Sequence, residues 1–251
     1  MKLIKQFTFL ITIALFSSCT QNNEEIVLEL KYNIGDEQII VSSTETSNNS
    51  SMSFKSGMEI NFIVSDYTEN EYTFTSDVLR VKSEIIMGDD IEKYDSDKDE
   101  TQMTSDEKSM HLEFKDVLDS KFNISIDNLG NITKPFRYMD GEIVENTIID
   151  MSNVQLIFPE YKVKVGTEWK GERINSLTGQ NISSTYKIKS ITAKEIEISV
   201  NSIVAEMSGV LSENRVSGTY VLDKTSCTLI KGTLEMNLQM GGSLTTTYYL
   251  K

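Results

Sequence analysis

Two prolines, two cysteines, one histidine and one tryptophan in 251 residues leave little material for several common chemistries. With Pro135 and Pro159 alone, no proline-rich linker divides the chain. With His111 alone, the usual neutral-pH base is nearly absent, and no His/Cys cluster has metal-ligand spacing. Neither a G-x-S-x-G elbow nor a glycine-rich phosphate loop occurs. Two cysteines build no disulfide framework. Basic residues are scarce as well: 24 Lys+Arg face 38 Asp+Glu, a net charge of −14, which repels phosphate backbones and anionic head groups. Together these absences predict a protein that is not an enzyme, carries no cofactor and no metal, and binds no nucleic acid.

What is present begins with a leader. Lys2 and Lys5 precede an apolar stretch from Phe7 to Phe16, then Ser17-Ser18 and Cys19. That order reads as a secretory signal peptide over residues 1–18. The stretch is far shorter than the roughly 20 residues a membrane-spanning helix needs. The tetrad Phe16-Ser17-Ser18-Cys19 resembles the lipobox of bacterial lipoproteins. The resemblance implies that Cys19 takes a diacylglycerol and becomes the new N-terminus, although an aliphatic residue is usual where Phe16 stands. Residues 19–25 then form a lipidated polar tether. Thr20 is not the aspartate associated with inner-membrane retention, so the expected destination is the outer membrane, on its periplasmic or surface face. Loss of Lys2 and Lys5 leaves 22 Lys+Arg against 38 Asp+Glu, or −16. Membrane attachment therefore runs through acyl chains instead of a basic patch.

Behind the tether, residues 26–251 alternate apolar and polar side chains, the mark of strands with one wet face. Met58, Ile60, Phe62 and Val64 lead through a turn at 66–70 to Tyr72 and Phe74, which predicts a hairpin. Phe122, Ile124 and Ile126 enter Asp127-Asn128-Leu129-Gly130-Asn131, which predicts another. Ile196, Ile198 and Val200 form one further set. Leu234, Met236, Leu238 and Met240 form the last before Gly241-Gly242 and a Thr- and Tyr-rich strand. One segment differs: Met110, Phe114, Val117 and Leu118 fall at helical spacing, with Ser105 or Asp106 as N-cap. Residues 143–154 suggest a second short helix. The fold class is thus mainly β, an antiparallel curved sheet or half-barrel with one or two short helices. Glycine turns at Tyr32-Asn33-Ile34-Gly35-Asp36-Glu37 and Val163-Lys164-Val165-Gly166-Thr167-Glu168 echo each other, which raises a division of the single β-rich domain into two related meanders, 26–87 and 160–251, against the plainer reading that a glycine turn before a strand is common in β proteins.

Five features invite chemistry, and each has a plainer reading. His111 sits on the polar side of the predicted helix and is expected to face solvent. Cys227, with no histidine near in sequence, is expected to be a buried or turn residue. Asp95, Asp97, Asp99 and Asp106 have the spacing of an EF-hand loop, but Glu100 replaces the turn glycine and Asp106 the clamping glutamate, so the acidic stretch 88–107 is expected to be a solvated, mobile loop. Met236 and Met240, with Met52 and Met58, suit a pocket for irregular apolar shapes, yet core packing is the default. Trp169 is likewise expected to pack.

Three stretches carry a family resemblance: Leu30-Lys31-Tyr32-Asn33-Ile34-Gly35-Asp36; Phe158-Pro159 followed by Val163-Lys164-Val165-Gly166-Thr167-Glu168-Trp169; and Ser217-Gly218-Thr219-Tyr220-Val221-Leu222-Asp223. In these the chain resembles uncharacterised bacterial envelope lipoproteins with a domain of unknown function. It departs at Thr167, where aspartate is commoner, and at Ser226-Cys227, where a turn glycine is expected. The resemblance implies a curved half-barrel similar to lipoprotein carriers, and no catalytic residues. The function expected is a non-catalytic envelope lipoprotein whose curved sheet binds an apolar or amphipathic ligand, a lipid or hydrophobic small molecule. The alternative is a structural or accessory protein that docks to another envelope protein. A carboxylate-pair hydrolase is the third reading, though nothing singles out two acids.

Overall fold

In a computed structural model, residues 24–47, 52–142, 156–174, 180–205, 214–238 and 242–251 are described. The leader, Cys19, the expected helix at 143–154, Met240 and Gly241 lie outside the described residues. The elements in chain order are β1 (Glu37–Ser47), β2 (Met52–Thr68), β3 (Glu71–Met87), β4 (Asp90–Asp95), a 3-10 turn (Glu100–Gln102), α1 (Ser105–Leu118), β5 (Lys121–Asp127) and β6 (Ile132–Tyr138). There follow β7 (Glu168–Ile174), β8 (Asn181–Ile191), β9 (Glu195–Val204), β10 (Asn214–Asp223), β11 (Leu229–Asn237) and β12 (Ser243–Leu250).

All these strands join one antiparallel sheet in the order β6-β5-β3-β2-β1-β12-β11-β10-β9-β8-β7, with β4 added beside the far half of β3. The chain starts in the middle, meanders out to one edge, crosses, and meanders back until β12 pairs with β1. The sheet does not close, but it curves: Ile132 at the start of β6 and Arg173 of β7 line one pocket with Ile157 between them. The mainly β class and the antiparallel curved sheet expected from alternation are what the chain adopts, with one α-helix among the described residues.

Both predicted hairpins form. Between β2 and β3 the loop is only Glu69-Asn70, both left-handed (φ 54° and 66°), the twisted two-residue turn that suits paired strands. At Asp127–Asn131 the side chain of Asp127 accepts from the amides of Leu129 (3.0 Å) and Asn131 (2.7 Å), and Gly130 takes φ 85°. These turns lie at one end of the sheet with those following β8 and β10, tied by Asn128 N donating to Asn70 O (3.0 Å) and Lys224 N to Lys194 O (2.8 Å). Segments 24–32 and 156–163 plug that end. They bridge at Ile26 and Val163 and bury Leu28, Leu30, Leu156, Phe158 and Val163. Their backbones are satisfied by the turns, Leu30 N on Asn128 O and Lys31 N on Ser226 O.

Helix α1 forms where the apolar spacing placed it, with Val117 buried and Met110, Phe114 and Leu118 against the core. Its N-cap is Thr104, not Ser105 or Asp106. The Thr104 hydroxyl accepts from Glu107 N (3.2 Å), and Glu107 reaches back to accept from Thr104 N (2.7 Å), a reciprocal capping box. Only that register puts a glutamate three residues after the cap.

Candidate functional site

The strands on either side of the β1–β12 junction stack their inward side chains in transverse rows. One row runs Tyr248-Ser42-Met58-Val81, set by the pairings of Ser42 with Tyr248 and Met58, and of Met58 with Val81. The next is Thr246-Thr44-Ser56-Ser83. Beyond it Phe54 faces Ile85. Four small hydroxyl side chains between two bulkier rows leave a trough that close packing would otherwise fill. Helix α1 roofs it with Met110 and Phe114, and the enclosed space is a half-open cavity of about 430 Å³. That volume falls within the range of small-molecule sites, about 300–1,000 Å³.

The walls are apolar with a soft polar stripe. Thr44 and Thr246 hydrogen-bond each other across the β1–β12 junction (3.0 Å), and Ser42 donates to Met58 O (3.5 Å). Satisfied within the wall, these hydroxyls demand nothing from an occupant. Ser56 and Ser83 line the cavity as well. At the rim stand Glu92 of β4 and Glu113 of α1, both exposed. The cation among the lining residues, Lys82, is turned to Asp95, 3.7 Å away.

Strand β4 and α1 are braced together by a network the sequence did not show. His111 does not face solvent: its side chain is 16% exposed, with Nδ1 2.9 Å from the Tyr94 hydroxyl and Nε2 3.2 Å from Glu100. The physical reason is position, since His111 follows Met110 on the flank against which β4 packs. Burial, with the nearby Asp95 charge, pushes the Tyr94 phenol up to about 12, so at neutral pH it keeps its proton and shares a hydrogen bond with Nδ1. Glu100 faces the other ring nitrogen, so both sides of the imidazole are held. Tyr94 also stacks on Phe114 at a centroid distance of 5.3 Å.

The acidic stretch is not the mobile loop expected. It forms β4, the 3-10 turn and the first turn of α1, because Asp95, Asp97, Asp99 and Glu107 each find a donor. Arg80 grips Asp95 through Nε (3.0 Å) and Nη2 (2.6 Å) and also reaches Asp97 (3.0 Å). Asp99 accepts from Thr101 N (2.8 Å) and caps the 3-10 turn. Lys98 pairs with Glu107 (2.7 Å). Among the described residues no group of three or more acids, histidines or cysteines is placed to hold a metal ion.

Of the other singled-out residues, Cys227 is buried in the turn after β10 at φ 56°, in the left-handed place where glycine was expected, and burial raises its thiol above the ordinary range. A protonated, covered thiol is a poor nucleophile. Trp169 packs as expected, stacked on Tyr186 (5.3 Å) with Nε1 donating to Ile157 O (2.7 Å). Met58 lines the cavity, Met52 is exposed and Met236 sits elsewhere on the sheet, so the methionines do not converge; Met110, which does line it, was read only as a helix core residue.

Comparison with known proteins adds fold but no activity. A family model described as a family of unknown function, DUF6263, matches residues 145–251. No curated protein matches. Among solved structures the chain is similar to lipovitellin, in a study of its lipid–protein interactions, with a TM-score of 0.58 and 9% identity. The likeness covers 88% of this chain and 25% of that one, so the chain spans about a quarter of the lipovitellin chain it matches. At that identity the likeness concerns the fold alone.

Proposed function

We propose that this protein is a non-catalytic envelope lipoprotein that holds an apolar or amphipathic ligand between α1 and the curved sheet. The observation that carries the reading is the row of small side chains, Thr246-Thr44-Ser56-Ser83, left unfilled between apolar rows beneath a fitted helix. A structural neighbour studied for its lipid–protein interactions supports the same chemistry on a similar fold. The anchor is an acyl group on Cys19, with the outer membrane as destination. The first described residue, Glu24, pairs with Lys224 (2.7 Å) at the plugged end. The tether therefore enters there, and the cavity stands towards the other end of the strands.

Titration with saturated chains of increasing length tests the binding reading. Affinity rises about fourfold per added methylene, from about 0.8 kcal/mol each, until the cavity is full. Ser56→Trp fills the trough and abolishes that rise while circular dichroism stays that of the parent. No binding at any chain length refutes it and leaves docking to an envelope protein, for which in-cell crosslinking through the exposed Met52, Met87 and Ile91 is the probe. Mass spectrometry of the mature N-terminus tests the anchor: an unmodified Cys19 removes it.

A further inference from the structure

We propose that the occupant of the cavity is an amphiphile with a cationic end, selected by Glu92 and Glu113; this rests on the binding reading above and names the ligand class for it. The two carboxylates reach the same rim from different elements. Glu92 lies opposite Ile85 in the β3–β4 pairing, on the strand that flanks the trough, and Glu113 lies on α1, one residue before the roofing Phe114. Neither takes part in an ion pair among the described residues, although most acids around them do: Asp95 has Arg80, Glu84 has Lys93, Glu107 has Lys98 and Asp119 has Lys115. The cation among the lining residues, Lys82, is paired with Asp95, and Lys93 beside Glu92 is paired with Glu84.

An anionic head group at this rim meets two like charges inside a field set by a net charge of −14, and the apolar walls lower the dielectric through which they act. A cationic head group meets two partners already in place. The apolar body is read by Met58, Val81, Phe54 and Ile85, and the charge at its end by the two glutamates. Chain length and head-group sign are thus selected by different residues, which lets one be altered without the other.

The test uses the full chain with Cys19→Ala, titrated with dodecyltrimethylammonium and with dodecanoate, each below its micellar concentration. The expected result is that the cation binds at least about fivefold tighter, from two partly exposed ion pairs of up to about 1 kcal/mol each. The double variant Glu92→Gln, Glu113→Gln brings the ratio to about one by weakening the cation, and Glu92→Lys, Glu113→Lys inverts it. Both pairs of substitutions are at exposed positions, so the fold is not at stake. Equal or tighter binding of dodecanoate by the parent overturns the inference and leaves the binding reading standing, as does a ratio that the double glutamine variant does not move. Failure of both amphiphiles to bind overturns the binding reading itself.

Discussion

The two halves of the sheet are built on one plan and filled in two ways. Each opens with the same turn. Gly35 (φ 92°) and Gly166 (φ 88°) donate to Val64 O and Ile188 O of the second strand of their meander (2.8 and 2.9 Å). Asp36 N and Thr167 N close on Asn33 O and Lys164 O (3.0 and 2.9 Å). Asp36 Oδ2 accepts from Asn33 N (2.7 Å) where Thr167 Oγ1 accepts from Lys164 N (3.0 Å), so a hydroxyl replaces the commoner carboxylate in the same job. Later, Asp127 and Asp223 each gather turn amides, ahead of left-handed Gly130 and Cys227. The interiors diverge. The half from β7 to β12 is filled by Trp169, Tyr186, Tyr220, Ile188 and Ile198. The trough lies at the β1–β12 junction, with Thr44, Ser56 and Ser83 from the first half, Thr246 from β12, and the inserted β4 and α1 of the first half covering it. One kind of opening turn thus leads into a packed half and into a half that supplies most of the cavity wall.

Glycines give the largest predicted effects. A Cβ on Gly218 would overlap the Thr233 carbonyl oxygen, and one on Gly232 would lie 2.8 Å from Tyr220. At Gly57, beside the trough, its nearest neighbour would be Ser42 O at an ordinary 3.5 Å. Gly218→Ala should therefore cost more than about 3 kcal/mol, since backbone has to move. Gly57→Ala should stay within about 0.5 kcal/mol. Urea denaturation of the two variants checks this, and equal losses would mean that the close approach of β10 to β11 at Gly218 carries no penalty.

Next in size is the plug that both halves share. Leu28 is fully buried, so Leu28→Ala should cost about 2–5 kcal/mol in the same assay. Smaller again is the exchange of turn residues. Gly130→Ala puts a side chain at φ 85° and should cost about 1 kcal/mol, while Cys227→Gly, which relaxes φ 56° and loses a small buried thiol, should come out near neutral. A Cys227→Gly variant as damaging as Leu28→Ala would mean that the thiol matters to packing more than the backbone does.

Much of this architecture was legible in the sequence wherever one local period governs. Alternation marks β2, β5 and β9, helical spacing marks α1, and the turn residues mark 69–70 and 127–131. Three things were not. The pairing of β1 with β12 joins residues some 200 apart in the chain, such as Thr44 and Thr246, and no local pattern encodes it. Strand β3 changes parity, because Leu79 is the extra residue of a bulge opposite the Glu59–Ile60 step, so buried Val78 gives way to buried Val81 and the period breaks. The trough was hidden by its own composition: Ser42, Thr44, Ser56 and Ser83 are small and polar, so their residue types do not mark an interior face, and only pairing and α1 show that they line one. His111 and the acidic stretch were misread for a related reason, since their partners Tyr94 and Arg80 arrive through packing.

The smallest effect tests the ion pair that ties β4, on which α1 packs, to β3. The Arg80 guanidinium holds the Asp95 carboxyl below its ordinary value of 3.8. A carboxylate depressed in the fold contributes stability that is fully present above the unfolded value and is lost as pH falls through the folded one. Loss should therefore begin below about pH 4 and grow towards lower pH, and because Asp95 is 35% exposed its size is held to about 1 kcal/mol or less. Asp95→Asn should lower stability slightly at pH 7 and flatten the acid limb of the urea midpoint against pH. In the packed half's opening hairpin β7 and β8 are joined by the exposed Glu168–Lys187 pair. If Asp95→Asn leaves the acid limb unchanged while Glu168→Gln flattens it, the acid sensitivity belongs to the packed half, and the Arg80–Asp95 pair between β3 and β4 contributes nothing that pH can reach.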